Sequence, residues 1–287
     1  MGLKDLLVYV DQSDRARVRL QLAIDLARRH DSTLTGLFVR TPNPEQLEKR
    51  KAAELGLASA GQVQRLDRDI EHSMDECARR LESELRRLGR EHGLQVEWRS
   101  MQGPLAMIAP QQARYHDLCV LGHEAGPDRA TSDYSFTEHM LFVTGRPVLL
   151  VPPGWAASHL GRHVAIAWNS SRAAARALSD AMALIERAER TTVLSINPAE
   201  FIERRGAPPV TQLLEHLQRH GARVDTLTLE PVPPAQIART LQSKAAENGA
   251  DVLVAGAFAH PRLWEKFFGG VTAELLDHTL MPLLMSH

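Results

Sequence analysis

Asp251-Val-Leu-Val-Ala-Gly256 repeats, type for type, the earlier stretch Asp117-Leu-Cys-Val-Leu-Gly122: an acid, four small or apolar residues and a glycine. A short continuous apolar run closed by a turn residue reads as a strand buried on both faces, the kind found in parallel sheets. Working outward, the echo continues. Leu6-Leu-Val-Tyr-Val-Asp11-Gln-Ser13 matches Val164-Ala-Ile-Ala-Trp-Asn169-Ser-Ser171, and His92-Gly93 before Leu94-Gln-Val96 matches His220-Gly221 before Ala222-Arg-Val224. Pro147-Val-Leu-Leu150 matches Pro282-Leu-Leu-Met285 on the other side. The order is kept throughout, so the chain is one unit written twice. The first copy carries an insertion near 41–70, opening with Thr41-Pro-Asn-Pro44 and continuing into the charge-rich Glu45–Lys51. Proline and charge together read as a solvated excursion, a loop or a surface helix.

Within each copy, Val/Leu/Ile runs alternate with stretches of helical periodicity, the pattern of βαβ units around a parallel sheet. The first copy reads as strands near 5–10, 33–39, 94–99, 117–122 and 147–152, with helices near 14–30, 66–91, 104–115 and 135–144. The second reads as strands near 163–168, 191–196, 223–229, 251–256 and 282–286, with four helices between them. Ala16, Leu20, Ala23 and Ala27 share one helix face, as do Val271, Leu275 and Thr279. Pro110 predicts a kink or an early stop, since it removes an N–H and crowds the preceding turn. The fold class is therefore α/β: two Rossmann-like, doubly wound domains, each a five-stranded parallel sheet flanked by helices. The turn-forming junction Pro152-Pro-Gly154 separates them, with domains over 1–153 and 162–287. An apolar last strand left unpaired is an aggregation liability, which predicts that the copies associate through Val148–Val151 and Leu283–Met285.

The 34 Lys and Arg balance 35 Asp and Glu, for a formal net charge of -1, without the basic field of a nucleic-acid binder. Two cysteines, Cys77 and Cys119, exclude a disulfide framework and any CxxC zinc or redox site. No apolar run approaches the roughly 18 residues of a membrane span, and Asp5 stands where a secretory signal would be apolar. These features predict a cytoplasmic protein that engages neither nucleic acid nor membrane.

In an open parallel sheet, ligands bind beyond the carboxyl ends of the strands, where the winding reverses. Two loops per copy reach that place. Asp11-Gln-Ser13 and Asn169-Ser-Ser171 follow the first strand, where short polar side chains cap the next helix or face a ligand. Gly256 through Thr272, with Gly269-Gly270 before a helix, follows the fourth strand; glycines there let backbone N–H groups approach an anion. Close packing accounts for a glycine pair equally well.

The element order, the tandem duplication and the loop after the fourth strand resemble the universal stress protein family over nearly the whole chain. That resemblance implies a doubly wound fold, usually dimeric, and a nucleotide motif of Gly, two residues, Gly, nine residues, Gly and then Ser or Thr. Gly256 fits the first position, Ala259 replaces the second glycine, Gly269 fits the third, and Gly270 takes the hydroxyl position with Thr272 two residues on. The first copy departs further: Gly122 fits, Ala125 replaces the second glycine beside Gly126, Ser135 replaces the third, and Phe136 stands where a hydroxyl would meet phosphate. The resemblance implies adenosine contacts at Asp11 and Asn169, with Val39 and Ile196 walling the base. It implies ATP or another adenine nucleotide, with Mg²⁺, in the second copy above all.

No GxxxxGK[ST], GxSxG or HExxH motif occurs; after His123-Glu124, position 127 is proline. His216 and His220 have helical metal-ligand spacing but sit among Gln, His and Arg, as on a solvated face. Cys119 reads as a buried small hydrophobe. No catalytic residue and no metal ligand is assigned. Three readings follow: a nucleotide-regulated stress-response protein, an interaction protein whose loops merely pack, and a slow ATP hydrolase. The partners expected are the sister domain in an intramolecular pseudo-dimer, a second chain in a homodimer, and an unidentified protein.

Overall fold

The computed structural model describes residues 2–13, 15–41, 44–52, 55, 59–123, 136–155, 159–196, 210–257 and 270–287. The first half runs β1 (Asp5–Val10), α1 (Ala16–His30), β2 (Thr33–Arg40), α2 (Pro44–Ala52), α3 (Ala60–His92), β3 (Val96–Gln102), α4 (Leu105–Ala113), β4 (Leu118–Gly122), α5 (Phe136–Val143) and β5 (Val148–Val151). The second runs β6 (His163–Ala167), α6 (Arg172–Ile185), β7 (Arg190–Ile196), α7 (Val210–Arg219), β8 (Val224–Leu229), α8 (Ile237–Glu247), β9 (Val252–Gly256), α9 (Val271–Asp277) and β10 (Leu283–Ser286). A single turn of 3₁₀ helix, Pro234–Gln236, leads into α8.

Local chemistry explains these elements. The stripe Ala16, Leu20, Ala23 and Ala27 is buried, and α1 closes on Asp31 in the left-handed region (φ 54°) behind a basic last turn. Basic groups at that end complement the helix dipole. Pro110 lies inside α4, which stops at Ala113, earlier than its apolar pattern suggests. Within the insertion the described residues form α2 and the first turns of α3. That long helix starts where Gln62 accepts the Ser59 N–H at 2.7 Å, and it ends on Gly93 at φ 65°.

The acid that opens each repeated motif has a shared task. Asp117 Oδ2 accepts the N–H groups of Lys4 (2.7 Å) and Asp5 (3.0 Å), fastening the start of β1 to β4. Asp251 does the same in the second half, accepting from Gly161 (2.8 Å) and Arg162 (2.9 Å) ahead of β6. Carboxylate acceptors tie down N–H groups that the ladder leaves open at a strand start.

The ten strands of the described residues join in one sheet, ordered β3-β2-β1-β4-β5-β10-β9-β6-β7-β8. Pairing is parallel within each half and antiparallel at the seam, where Leu283, Leu284 and Met285 face Leu150, Leu149 and Val148. Equivalent strands meeting antiparallel is the relation a half-turn produces. The halves thus associate through their last strands, as the apolar edges predict, and neither final strand keeps an open edge. Apolar layers cover both faces and run across the seam: Leu149 and Leu284 belong to one, Val148, Leu150, Leu283 and Met285 to the other. Arg29 reinforces the junction by donating from Nη1 to the Leu160 carbonyl and from Nη2 to that of Gly161 (3.1 Å). No helix of the described residues is long and apolar enough to cross a membrane.

Candidate functional site

The winding reverses between β1 and β4 in the first half and between β6 and β9 in the second, since each of these pairs is flanked by strands wound outward. Crevices at the carboxyl ends of such strands are where α/β sheets bind ligands. Asp11 and Gly122 lie at the first crevice, Asn169 and Gly256 at the second. Val39 in β2 and Ile196 in β7 are buried in one apolar layer, on the side of the sheet away from α1 and α6.

At the first crevice both carboxylate oxygens of Asp11 have partners. Its Oδ1 accepts the Ser13 N–H at 2.9 Å and the Ser13 hydroxyl; its Oδ2 accepts Nη2 of Arg19 at 2.6 Å. Arg19, on α1, is 3% exposed, and its Nε donates to the Tyr9 carbonyl at 3.2 Å. Gly122 makes room for the guanidinium: a Cβ there would lie 2.1 Å from Arg19 Nη1 and 2.9 Å from its Cζ. Phe136, the first residue of α5, places its ring centroid 5.4 Å from that of Tyr9, an apolar contact.

The second crevice is built differently. Asn169 Oδ1 accepts the Ser171 N–H at 3.1 Å, and Ser171 caps α6 by accepting the Ala174 N–H at 3.1 Å. Between them Ser170 sits in the left-handed region at φ 56°. The position of Arg19 is held by Ala177, 1% exposed. With no side chain to accommodate, the first turn of α6 comes down onto the sheet: a Cβ on Gly256 would lie 2.4 Å from the Ala173 carbonyl carbon and 2.5 Å from the Ala174 nitrogen. Gly256 therefore permits close backbone packing. Gly270 is the N-cap of α9 in extended conformation, and a Cβ there would meet nothing within 4 Å, so neither φ nor crowding demands glycine. Thr272 follows one residue into that helix. Ala259 and Gly269 lie outside the described residues, as do Ala125, Gly126 and Ser135.

Arg19 is the residue that motif spacing missed. Its signal was a cation on the same helix face as Ala16, Leu20 and Ala23, opposite alanine in the sister copy. His216 and His220 place their ring centroids 4.8 Å apart, His220 Nδ1 lies 3.3 Å from Glu186 Oε1, and no group of three metal-ligating side chains occurs among the described residues. Cys119 is fully buried, and burial pushes its thiol up to about 12.

No protein-family model matches the sequence, and no curated protein matches it. Solved structures do match. A universal stress protein from Archaeoglobus fulgidus DSM 4304 aligns over 98% of this chain and 95% of its own, with 15% identity and a TM-score of 0.69. A functionally unknown protein from Pseudomonas aeruginosa PAO1 aligns over 99% of this chain and 92% of its own, with 18% identity and a TM-score of 0.57. The chain has, across its whole length, the fold of the Archaeoglobus universal stress protein.

Proposed function

We propose that the chain is a tandem universal stress protein, with lobes over 1–153 and 162–287, in which the second lobe receives an adenine nucleotide and the bound state governs contact with a protein partner. The observation that carries this reading is the contrast at the two crevices. Asp11 is engaged through both oxygens, by Ser13 and Arg19, whereas among the described residues Asn169 is engaged only through its carbonyl oxygen, by Ser171, which leaves its amide N–H groups for a ligand. In this reading Asn169 meets the adenosine portion, Ile196 walls the base, and the loop from Gly256 and Ala259 to Gly269, Gly270 and Thr272 meets the phosphates. ATP with Mg²⁺ supplies charge and a hydrolysable bond; the residues named bind and orient it, and none is assigned as a base. The cytoplasm and a homodimer of chains belong to the same proposal.

A second reading has its own observation. Gly256 is already explained by its packing on α6, so the chain acts as an interaction protein whose crevices bind no nucleotide. Calorimetric titration with ATP and Mg²⁺ separates the two. The nucleotide reading expects one site per chain, weakened at least about tenfold, equivalent to 1.4 kcal/mol, by Asn169→Leu and by Gly269→Val. Absence of heat in the parent protein supports the interaction reading, and turnover to ADP that both variants abolish supports a hydrolase.

A further inference from the structure

We propose that Arg19 is a built-in occupant of the first crevice: its guanidinium fills a cation-accepting pocket formed by Asp11, the Tyr9 carbonyl and Gly122, and closes that lobe to outside ligands. Each part of the pocket suits a planar cation. Asp11 Oδ2 supplies an anionic acceptor at 2.6 Å, the Tyr9 carbonyl a second acceptor at 3.2 Å, and Gly122 a floor without a side chain, on which Nη1 rests. Oriented acceptors around a rigid donor fork are how proteins recognise guanidinium.

Helix packing alone does not ask for this residue. Ala177 takes the same place on α6 and is equally buried, and the sheet beneath it is built in the same order. Burying a cation costs desolvation that alanine avoids, so its presence in one lobe only marks a local role. A ligand cation seeking the place of Arg19 on Asp11 Oδ2 must displace a charge-assisted bond made by a side chain already in place, with no loss of translational freedom to set against it. The inference stands apart from nucleotide binding in the second lobe.

Emptying the pocket and offering the missing group back tests it. Arg19→Ala copies the second lobe. Arg19→Met removes the guanidinium but keeps most of the stem, as a variant more certain to fold. Methylguanidinium at millimolar concentration, against sodium chloride of equal ionic strength, is expected to raise the melting temperature of both variants and leave the parent unmoved. Adding Asp11→Asn is expected to abolish the rise. A variant that needs the probe in order to fold is expected to recover with it. Folded variants that ignore methylguanidinium, or unfolded ones that it fails to recover, overturn the proposal. ATP titrated in parallel keeps the two ideas distinct: a parent that binds no ATP while Arg19→Ala responds to methylguanidinium refutes the nucleotide reading alone.

Discussion

The two lobes share their strand order, their strand-opening aspartate and the glycine at the end of their fourth strand, yet each fills the space above that glycine in its own way. Over Gly122 lies the guanidinium end of a side chain; over Gly256 lies the backbone of a helix turn. One residue, arginine or alanine at the second turn of the helix, decides which. A glycine is thus not a functional signature by itself, since its meaning depends on what has been brought against it.

The largest test of this contrast is to add one methyl group to each glycine. Gly256→Ala forces a Cβ into the carbonyl and amide of α6 and is expected to cost about 3 kcal/mol or more. Gly122→Ala meets a side chain rather than backbone, Arg19 from its Nη1 to its Cδ, and is expected to cost less, about 1–2 kcal/mol, relieved by Arg19→Ala. Urea midpoints measure both; equal costs would break the comparison.

Next in size is a pH effect at a histidine that the second lobe replaces with alanine. His30 closes α1 and is buried beside Arg187, Arg29 and Lys4; burial first, then these cations, lower its pKa to about 4. Ala188 stands at the matching place in the second lobe. With a folded pKa below the unfolded value near 6.5, His30 favours folding fully above that value. The contribution is lost as pH falls from 6.5 towards 4, by about 2–3 kcal/mol. His30→Met is expected to flatten the curve of stability against pH in that window, and an unchanged slope would assign it to other groups.

The smallest expected effect compares the two strand-opening acids. Asp251 is buried and its bonds are screened from water, whereas Asp117 holds exposed N–H groups. Asp251→Ala should cost about 2 kcal/mol and Asp117→Ala about 1 kcal/mol in the same urea titration. The reverse order would mean that burial does not set the strength of this clamp.

Much of the architecture was legible because the repeat supplied an internal check. Strands β4 and β9 announce themselves by continuous apolar runs, and nearly every strand end falls within a residue or two of its expected place. Strand β3 is the exception, running on to Gln102, because its alternating exposed residues give no apolar run to mark its end. Periodicity starts α3 too late, near 66, because it reads apolar faces while the helix is begun by the polar Ser59 and Gln62. The candidate site was less legible. Motif spacing drew attention to Asp11, Gly122 and Gly256, but spacing says nothing about a neighbour arriving from another element. Arg19 and the first turn of α6 lie near in space and remote in motif.

Fusing the lobes through β5 and β10 has a consequence for how such a molecule can change. Two identical chains meeting at a dyad must carry every mutation on both sides, so a residue that disables one cleft disables its twin. Here the seam joins strands of related but not identical sequence, and each lobe can lose or gain a capacity while its sibling keeps the older one.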